Sequence, residues 1–503
     1  MSDAAAKPRY SGGYTGLVLS LLMLAYTLNF IDRTIIATIG QAIKVDLKLT
    51  DSQLALLGGF SFAVLYTVLG IPIARLAERW NRVSVIALAL LIWSGFTMLC
   101  GGAASFLQLL AFRVGVGVGE AGLSPPAHSL ISDYYEPKKR ASALAVYSFG
   151  IPLGSMIGAA AGGWLAQTYG WRVAFMVVGA PGVIMAIIVK LIIREPPRGH
   201  SDPAEKPVSP EDLTAAPTTG GLGYELSELA SVAKSLFLHW PILNMVLGVT
   251  LASFAGYGVG QFSAPYFIRT FGLNYATVGL IFGLIGGLSS GLGTLIGGFV
   301  SDFASRRNAA WYALTPAIGL AIAAPIYLLA YTQPEWRTAA LILFVPGIFH
   351  YTYLGPTFGV IQNVVETRRR ATATAVLFFF LNFIALGGGT YFTGWLIDHL
   401  AQYGFTHPGA PDLVTSLHAM ISGQGPAAST AHFATACPGG VAPHGSAPAL
   451  AASCKTTLIT ATRGGILVTI FFYAWAAFHY LLGSFGLAKE LGRVAAARKA
   501  REA

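Results

Sequence analysis

Charged side chains are scarce in this chain. Asp, Glu, Lys and Arg make up 11% of its 503 residues, where a soluble domain carries about 25%, so a water-exposed surface of ordinary extent is excluded. Cysteine is scarcer still. None of the three cysteines stands at ligand spacing from another or from a nearby histidine pair, which excludes a zinc or iron–sulfur site. No Gly-rich phosphate loop ends in Lys, no metal-binding His pair occurs, and no serine sits with His and Asp in a recognisable nucleophile context. The chain reads as a non-enzyme with no metal and no cofactor. "GVGVGEAG", residues 115–122, has the outline of a dinucleotide fingerprint, but it lies inside an apolar run with no strand before it.

What the chain has in abundance is hydrocarbon: 54% hydrophobic residues and a mean hydropathy of +0.62. Apolar runs of about 20 residues, the length of a helix that crosses a bilayer, occur near 14–41, 53–76, 83–103, 106–131, 141–168, 171–194, 240–268, 276–301, 310–331, 338–362, 371–400 and 460–486. The first is too long for a cleaved signal peptide and holds two charges, so it stays as a span. A net charge of +10 raises the question of nucleic acid. With the N-terminus inside, however, 22 of the 32 Lys and Arg fall on inner segments, as the positive-inside rule requires. This is an all-α, twelve-span protein of the cell (inner) membrane with both termini cytoplasmic, a monomer among membrane lipids, and not a nucleic-acid binder.

The spans divide six and six. The expected parts are an N-terminal bundle (1–194), a Pro-, Gly- and charge-rich cytoplasmic linker (195–238), a C-terminal bundle (239–487) with an extracytoplasmic loop at 401–459, and a cytoplasmic tail (488–503). Leu226, Leu229, Ala233 and Leu236 have helical spacing, so the end of the linker is either a helix lying on the inner membrane surface or an extension of the seventh span. The halves are related to each other. "EPKKRASALAVYSF" (136–149) returns as "ETRRRATATAVLFF" (366–379), and "ARLAERWNR" from Ala74 is echoed by "GFVSDFASR" from Gly298. Two parallel six-helix repeats form the architecture of a large transporter class.

Those segments resemble motifs of the major facilitator superfamily. The loop after span two is similar to Gly-x-Leu-Ala-Asp-Arg-x-Gly-Arg, with Ala74, Glu78 and Asn81 in place of the first Gly, the Asp and the second Gly. "RVGVGVGEA" (113–121) resembles the Arg and Gly motif of span four. "GSMIGAAAGG" (154–163) resembles the exchanger motif of span five, with Ala159 where Pro is frequent. "NFIDR" (29–33), "RVGVGVGEAGLSPPAHSLISDYY" (113–135) and "REPPRG" (194–199) together resemble the Spinster branch. That resemblance implies alternating access and the movement of lysophospholipids or sphingolipid phosphates coupled to protons.

Four ionisable residues lie within the membrane part of spans one and four: Asp32, Arg33, Arg113 and Glu120. A charge at the centre of a spanning helix is unfavourable by roughly 2.5–3.5 kcal/mol on insertion scales, so these residues have partners or a use. Arg113 and Glu120, seven apart, share one helix face. Gly115, Gly117 and Gly119 between them remove bulk and let a neighbouring backbone approach, and that face is expected to line the cavity. By depth, roughly 10–15 Å from the outer ends, Asp32 pairs with Arg113 and Arg33 with Glu120. One reading makes Asp32 and Glu120 the proton-coupling acids and Arg33 and Arg113 the anion-binding bases. The other makes all four a permanent structural network, although buried pairs often add little net stability. The repeat places Gly256, Tyr257, Leu343 and His350 at the corresponding C-terminal positions, which assigns coupling to the first half.

Tyr26, Asn29, Phe30, Tyr147, Tyr257, Gln261, His350 and Asn382 complete the expected substrate-binding set. His350 either bonds or titrates toward a polar substrate group or is satisfied by a backbone carbonyl. A cavity charged on one side and greasy on the other suits an amphiphile. Charges at helix ends are expected to form the inner gate: Glu78, Arg79, Arg82, Glu136 and Arg140 in one half, Asp302, Arg306, Arg307, Glu366 and Arg370 in the other. Cys437 and Cys454 share an outer loop, where disulfides persist, and are expected to pair. The function read from these features is proton-coupled transport of an amphiphilic anionic lipid. The alternatives are a proton-coupled carrier of a small organic anion or sugar acid, and a receptor or scaffold that keeps the fold without turnover.

Overall fold

The computed structural model describes residues 10–63, 66, 73, 80–198, 200–201, 234, 237–364, 376–407, 413, 417–418, 422 and 432–502. Among them, eleven helices are long and apolar enough to cross a membrane. The missing one is the second span, which opens at Asp51 and runs on into residues outside the described set. The expected helix at the end of the linker also lies outside it.

The first span is Gly12–Asp46, the third Arg82–Cys100, the sixth Trp171–Ile192, the seventh Trp240–Phe271, the ninth Trp311–Tyr331 and the twelfth Pro448–Ser484. The other six are interrupted among the described residues. The fourth breaks between Phe106–Glu120 and Ser124–Tyr134, where Pro125 and Pro126 open a new helix, and the fifth between Pro137–Ser148 and Gly150–Tyr169. The eighth contains a π-helical turn between Tyr275–Leu284 and Ser290–Ser305, and the tenth turns through Tyr351–Tyr353 between Trp336–His350 and Leu354–Val364. The second span has a π turn at Leu56–Phe60, and the eleventh has one at Phe380–Gly389 before Thr390–Thr406. The twelfth helix starts well ahead of its apolar run, because an Ala-rich segment behind Pro448 continues the helix beyond the membrane.

Each half has its own core, one built on Leu22, Ile35, Trp93 and Phe175, the other on Val249, Phe262, Leu320 and Ile470. The N-terminal core extends into the linker. Glu195 accepts from Arg82 Nε at 2.6 Å and from the Val83 amide at 3.1 Å, Arg82 also donates to the Pro196 carbonyl, and Ser201 donates to the Asp133 carbonyl.

Glycine decides how close the spans come. Gly154 and Gly158 of the fifth span meet the first span, where a Cβ on Gly158 would lie 2.8 Å from Ile31 Cα. Gly163, on another edge, meets Gly279 of the eighth span, backbone against backbone. One face of the protein carries the chain ends and the basic clusters, here the basic face; the opposite one is the distal face. The hydrogen bonds that join the halves gather at the distal face.

Candidate functional site

Arg33 and Glu120 form an ion pair at 2.6 Å between the first and fourth spans. Glu120 is fully enclosed, whereas the Arg33 side chain keeps 23% of its surface accessible. The guanidinium lies over the rings of Phe30, Phe62 and Tyr66, 4.5–5.1 Å from their centroids, an arrangement that holds a cation without neutralising it. Phe30 in turn packs edge-on to Tyr26, and Tyr26 stacks on Tyr147 at 4.4 Å. Phe62 and Tyr66 were not singled out from the sequence; aromatics one and two turns past the π turn of the second span carried no distinguishing signal.

Asp32 and Arg113 turn the other way. Successive helical residues are about 100° apart, so Arg33 at the cavity wall puts Asp32 inside the N-terminal bundle, where it is 2% exposed and Arg113 is 0% exposed. The expected contact pair between them is not made. Arg113 donates instead to the backbone carbonyls of Asp32 and Leu57, both at 3.4 Å. The glycines between Arg113 and Glu120 also correct the expectation of a cavity-lining face: Gly115 and Gly119 admit Phe96 and Trp93 of the third span, and Gly117 admits Phe62 of the second. Removing the Cβ there serves packing between helices.

Of the C-terminal residues, Tyr257 is 42% exposed in mid-span and faces open space. Gln261 packs on Gly58 of the second span. Asn382 spends its amide on the Phe378 carbonyl at 2.9 Å. His350 is 4% exposed in a cage of tyrosines, with Tyr327 and Tyr473 hydroxyls 3.4 Å from Nδ1 and the rings of Tyr351 and Tyr353 against it. These two belong to the C-terminal bundle and are not brought to Arg33.

A second cluster, which sequence reasoning missed, lies on the distal face. Asp51 Oδ1 accepts from Arg269 Nη2 at 2.6 Å and Oδ2 from Lys44 Nζ at 2.5 Å; Arg269 also holds Gln41 at 2.8 Å and Thr462 at 2.7 Å. Asp398 of the eleventh span accepts the amides of Asp51 and Ser52 at 2.8 and 2.7 Å, a carboxylate set on the helix N-terminus of the opposite half. Lys44 and Arg269 are among the Lys and Arg that fall outside the inner segments. Their near-equivalence in the two repeats, in the last turns of spans one and seven, was the unused signal. Gly439 and Gly440 are both in the left-handed region, at φ 69° and 85°; Gly439 sits on the Lys44–Val45 backbone and Gly440 against the Leu458 side chain, and their loop is closed by a Cys437–Cys454 disulfide.

Among the expected gate residues, Arg82 is buried and joins Asp133, Ser129 and Glu195 within one half. Glu136 stands exposed at the start of the fifth span and Arg140 clasps the carbonyls of Ser132 and Tyr135. Asp302 accepts from Tyr312 at 3.1 Å, and Arg306 and Arg307 are exposed. Glu78, Arg79, Glu366 and Arg370 lie outside the described residues.

Two pseudo-symmetric six-helix halves, joined at one face, with charge confined to one wall between them, agree with what residues 22–405 match, the Major Facilitator Superfamily. The chain belongs to that superfamily. It is 33% identical over 76% of its length to an "MFS-type efflux pump" of Mycolicibacterium smegmatis, covering 84% of that protein. It is 29% identical to the human "Protein spinster homolog 1", over 78% of this chain and 75% of that one. Among solved structures, a bacterial homologue of the human lysosomal transporter Spinster, inward-facing and unoccupied, aligns with a TM-score of 0.78 and 33% identity over 96% of this chain and 99% of that one. The chain is thus a multi-pass, Spinster-type major facilitator of twelve helices that works by alternating access.

Proposed function

We propose that this major facilitator carries an amphiphilic anionic lipid, a lysophospholipid or sphingolipid phosphate, in a cycle coupled to protons through its N-terminal half. The observation that carries the reading is Arg33: a guanidinium at the cavity wall, partly accessible, held by one carboxylate and three aromatic rings. Opposite it the C-terminal half offers Tyr257 and exposed Phe378, Phe379 and Phe383, a surface for a hydrocarbon chain. In this account the basic face is cytoplasmic, and the Asp51–Arg269 cluster is the closed outer gate.

Coupling follows from competition for Arg33. A substrate phosphate that takes part of the guanidinium's hydrogen bonding leaves Glu120 enclosed without its partner, and an isolated carboxylate in a dry site favours its protonated form. Asp32 adds a second acid, and Arg113 beside it is already engaged with carbonyls.

A thermal-shift screen of the purified protein tests the substrate class, because a ligand that binds the folded state raises the melting point. Lysolipids or sphingolipid phosphates are expected to raise it, and Arg33→Ala to abolish the rise. A rise with small organic acids alone would replace the lipid by a sugar acid or similar anion.

A further inference from the structure

A cleft of about 420 Å³ opens at the basic face, where the eighth span ends and the ninth begins, and is lined by Phe299, Val300, Phe303, Ala304, Arg307 and Trp311. No residue of the N-terminal half, and none of those around Arg33, lines it. Its floor is aromatic and open: Phe299 and Phe303 are 73% and 69% exposed, on the least buried of the eleven spans. One-sided packing is the reason. Gly293 and Gly297 set the eighth span against the Ile348 and Thr352 carbonyls of the tenth, and the edge that bears the two phenylalanines is left uncovered.

The mouth of the cleft is cationic. Arg307 lines it and Arg306 adjoins it, and neither side chain has a hydrogen bond or ion pair among the described residues. Asp302, one turn away, is engaged by the Tyr312 hydroxyl at 3.1 Å. The other half treats its equivalent arginine differently: the repeat sets Arg306 at the position of Arg82, which is buried and joined to Asp133, Ser129 and Glu195. The positive-inside rule accounts for arginines at this face, but not for one that lines an apolar cleft without a partner. Trp311 and Tyr312, at the start of the ninth span, are the residue types that mark the membrane–water boundary. Phe299 and Arg307 are eight residues apart, so a molecule lying along the cleft passes from charge to hydrocarbon within roughly 12 Å at 1.5 Å per residue.

We propose that this cleft binds an anionic phospholipid of the leaflet on the basic side, with its phosphate on Arg307, Arg306 adding charge, and an acyl chain along Phe303 and Phe299. A guanidinium offers a phosphate a planar fork of donors, and a lipid of net negative charge gains from both arginines, whereas a zwitterionic one brings its own cation. The bound lipid covers the open edge of a span whose far end meets the fifth across the two halves at Gly279, and so stabilises the folded protein. The site is separate from the wall around Arg33 and does not depend on what the transporter carries.

Full-length protein in phosphatidylcholine nanodiscs, with a minor share of the lipid carrying brominated chains, tests this, because bromine quenches a tryptophan that it touches. The part of the quenching that disappears in Trp311→Phe belongs to the cleft. That part is expected to be larger with brominated phosphatidylglycerol than with an equal share of brominated phosphatidylcholine. Arg307→Gln should cut the preference about fivefold, the effect of one basic residue at an anionic membrane surface, and Arg307→Lys, which keeps the charge, should retain most of it, so that a loss in the first variant is not one of folding. Equal quenching by the two lipids, or a preference that survives Arg307→Gln, would overturn the site. A preference lost in Arg33→Ala would place the lipid in the transport cavity instead and reject the proposal, and displacement by inorganic phosphate would reduce the cleft to an anion contact and reject the lipid.

Discussion

Arg269 of the seventh span reaches across to Asp51 of the second at 2.6 Å, and both side chains are buried, at 8% and 0% exposure. The two halves are therefore held together at the distal face by charge inside a low-dielectric contact. Such a pair is costly to break by removing one partner, about 3–5 kcal/mol, but it dissolves readily when water enters and solvates both ends. That is the behaviour required of a gate.

Asp51→Asn or Arg269→Gln should therefore shift the resting population toward a form open at the distal face. The lost stabilisation of the closed form is about 3 kcal/mol, enough to reverse a modest closed preference. Distances between labels on spans one and seven check this; an unchanged distribution in both variants would remove the cluster from the gating account.

Gly439 rests on Lys44 and Val45, and its loop is tied by the disulfide to the extended twelfth helix, so the loop covers the Lys44–Asp51 end of the cluster. Reducing the Cys437–Cys454 bond should lower thermal stability, by an amount on the order of 3 kcal/mol for a loop of 17 residues in the chain-entropy model, and raise the open fraction. Thiol titration gives the first check: one free thiol, Cys100, is expected on denaturation without reductant, and three would contradict the bond.

Gly163 of the fifth span and Gly279 of the eighth touch backbone to backbone. Gly163→Val inserts two methyl groups and a Cβ where none fits, an overpacking cost of about 1–3 kcal/mol, and should separate those spans. Transport is expected to fall while membrane insertion persists, measured by uptake at matched protein level. Wild-type uptake would show that the contact is not used in the cycle.

The fold was legible because a bilayer imposes simple rules on sequence: twelve apolar runs, an internal repeat and the distribution of Lys and Arg identify spans and halves. The Arg33–Glu120 pair was also legible, from depth alone. Depth does not give rotation about the helix axis, however. Arg113 is therefore expected on the cavity yet lies buried in the bundle, and the neighbouring position of Arg33 turns Asp32 inward as well. The glycine pattern of the fourth span lets neighbouring helices approach, as expected, but the residues seated on it, Trp93 and Phe96 of the third span, make that face a packing contact and not a cavity wall. Lys44, Asp51 and Arg269 escaped notice because each stands near a helix end, where a charge is ordinary, and only the folded chain brings Asp398, from the middle of its helix, to the other three. His350 aligned by repeat with Glu120, but the tyrosines that enclose it come from three different spans.

Arg33 should show its role in ligand discrimination. Arg33→Ala is expected to weaken binding of an anionic lysolipid tenfold or more, about 1.4 kcal/mol, with a neutral analogue of the same chain length little affected. Arg33→Lys should recover only part of the loss, since an ammonium keeps the charge but not the planar fork of donors. Equal losses for charged and neutral ligands would point to collapse of the cavity wall.

The claim on which the account turns is that Asp32 and Glu120 carry protons. Proteoliposomes loaded with a pH-sensitive dye and given a substrate identified by thermal shift measure it directly. Wild-type protein should move protons only when substrate is present. Asp32→Asn, whose amide imitates the protonated acid, should lose pH-driven accumulation yet keep binding and part of downhill exchange, and Glu120→Gln should do likewise. Transport by the double variant with an unchanged response to the pH gradient would contradict the account and leave the four charges as a structural network.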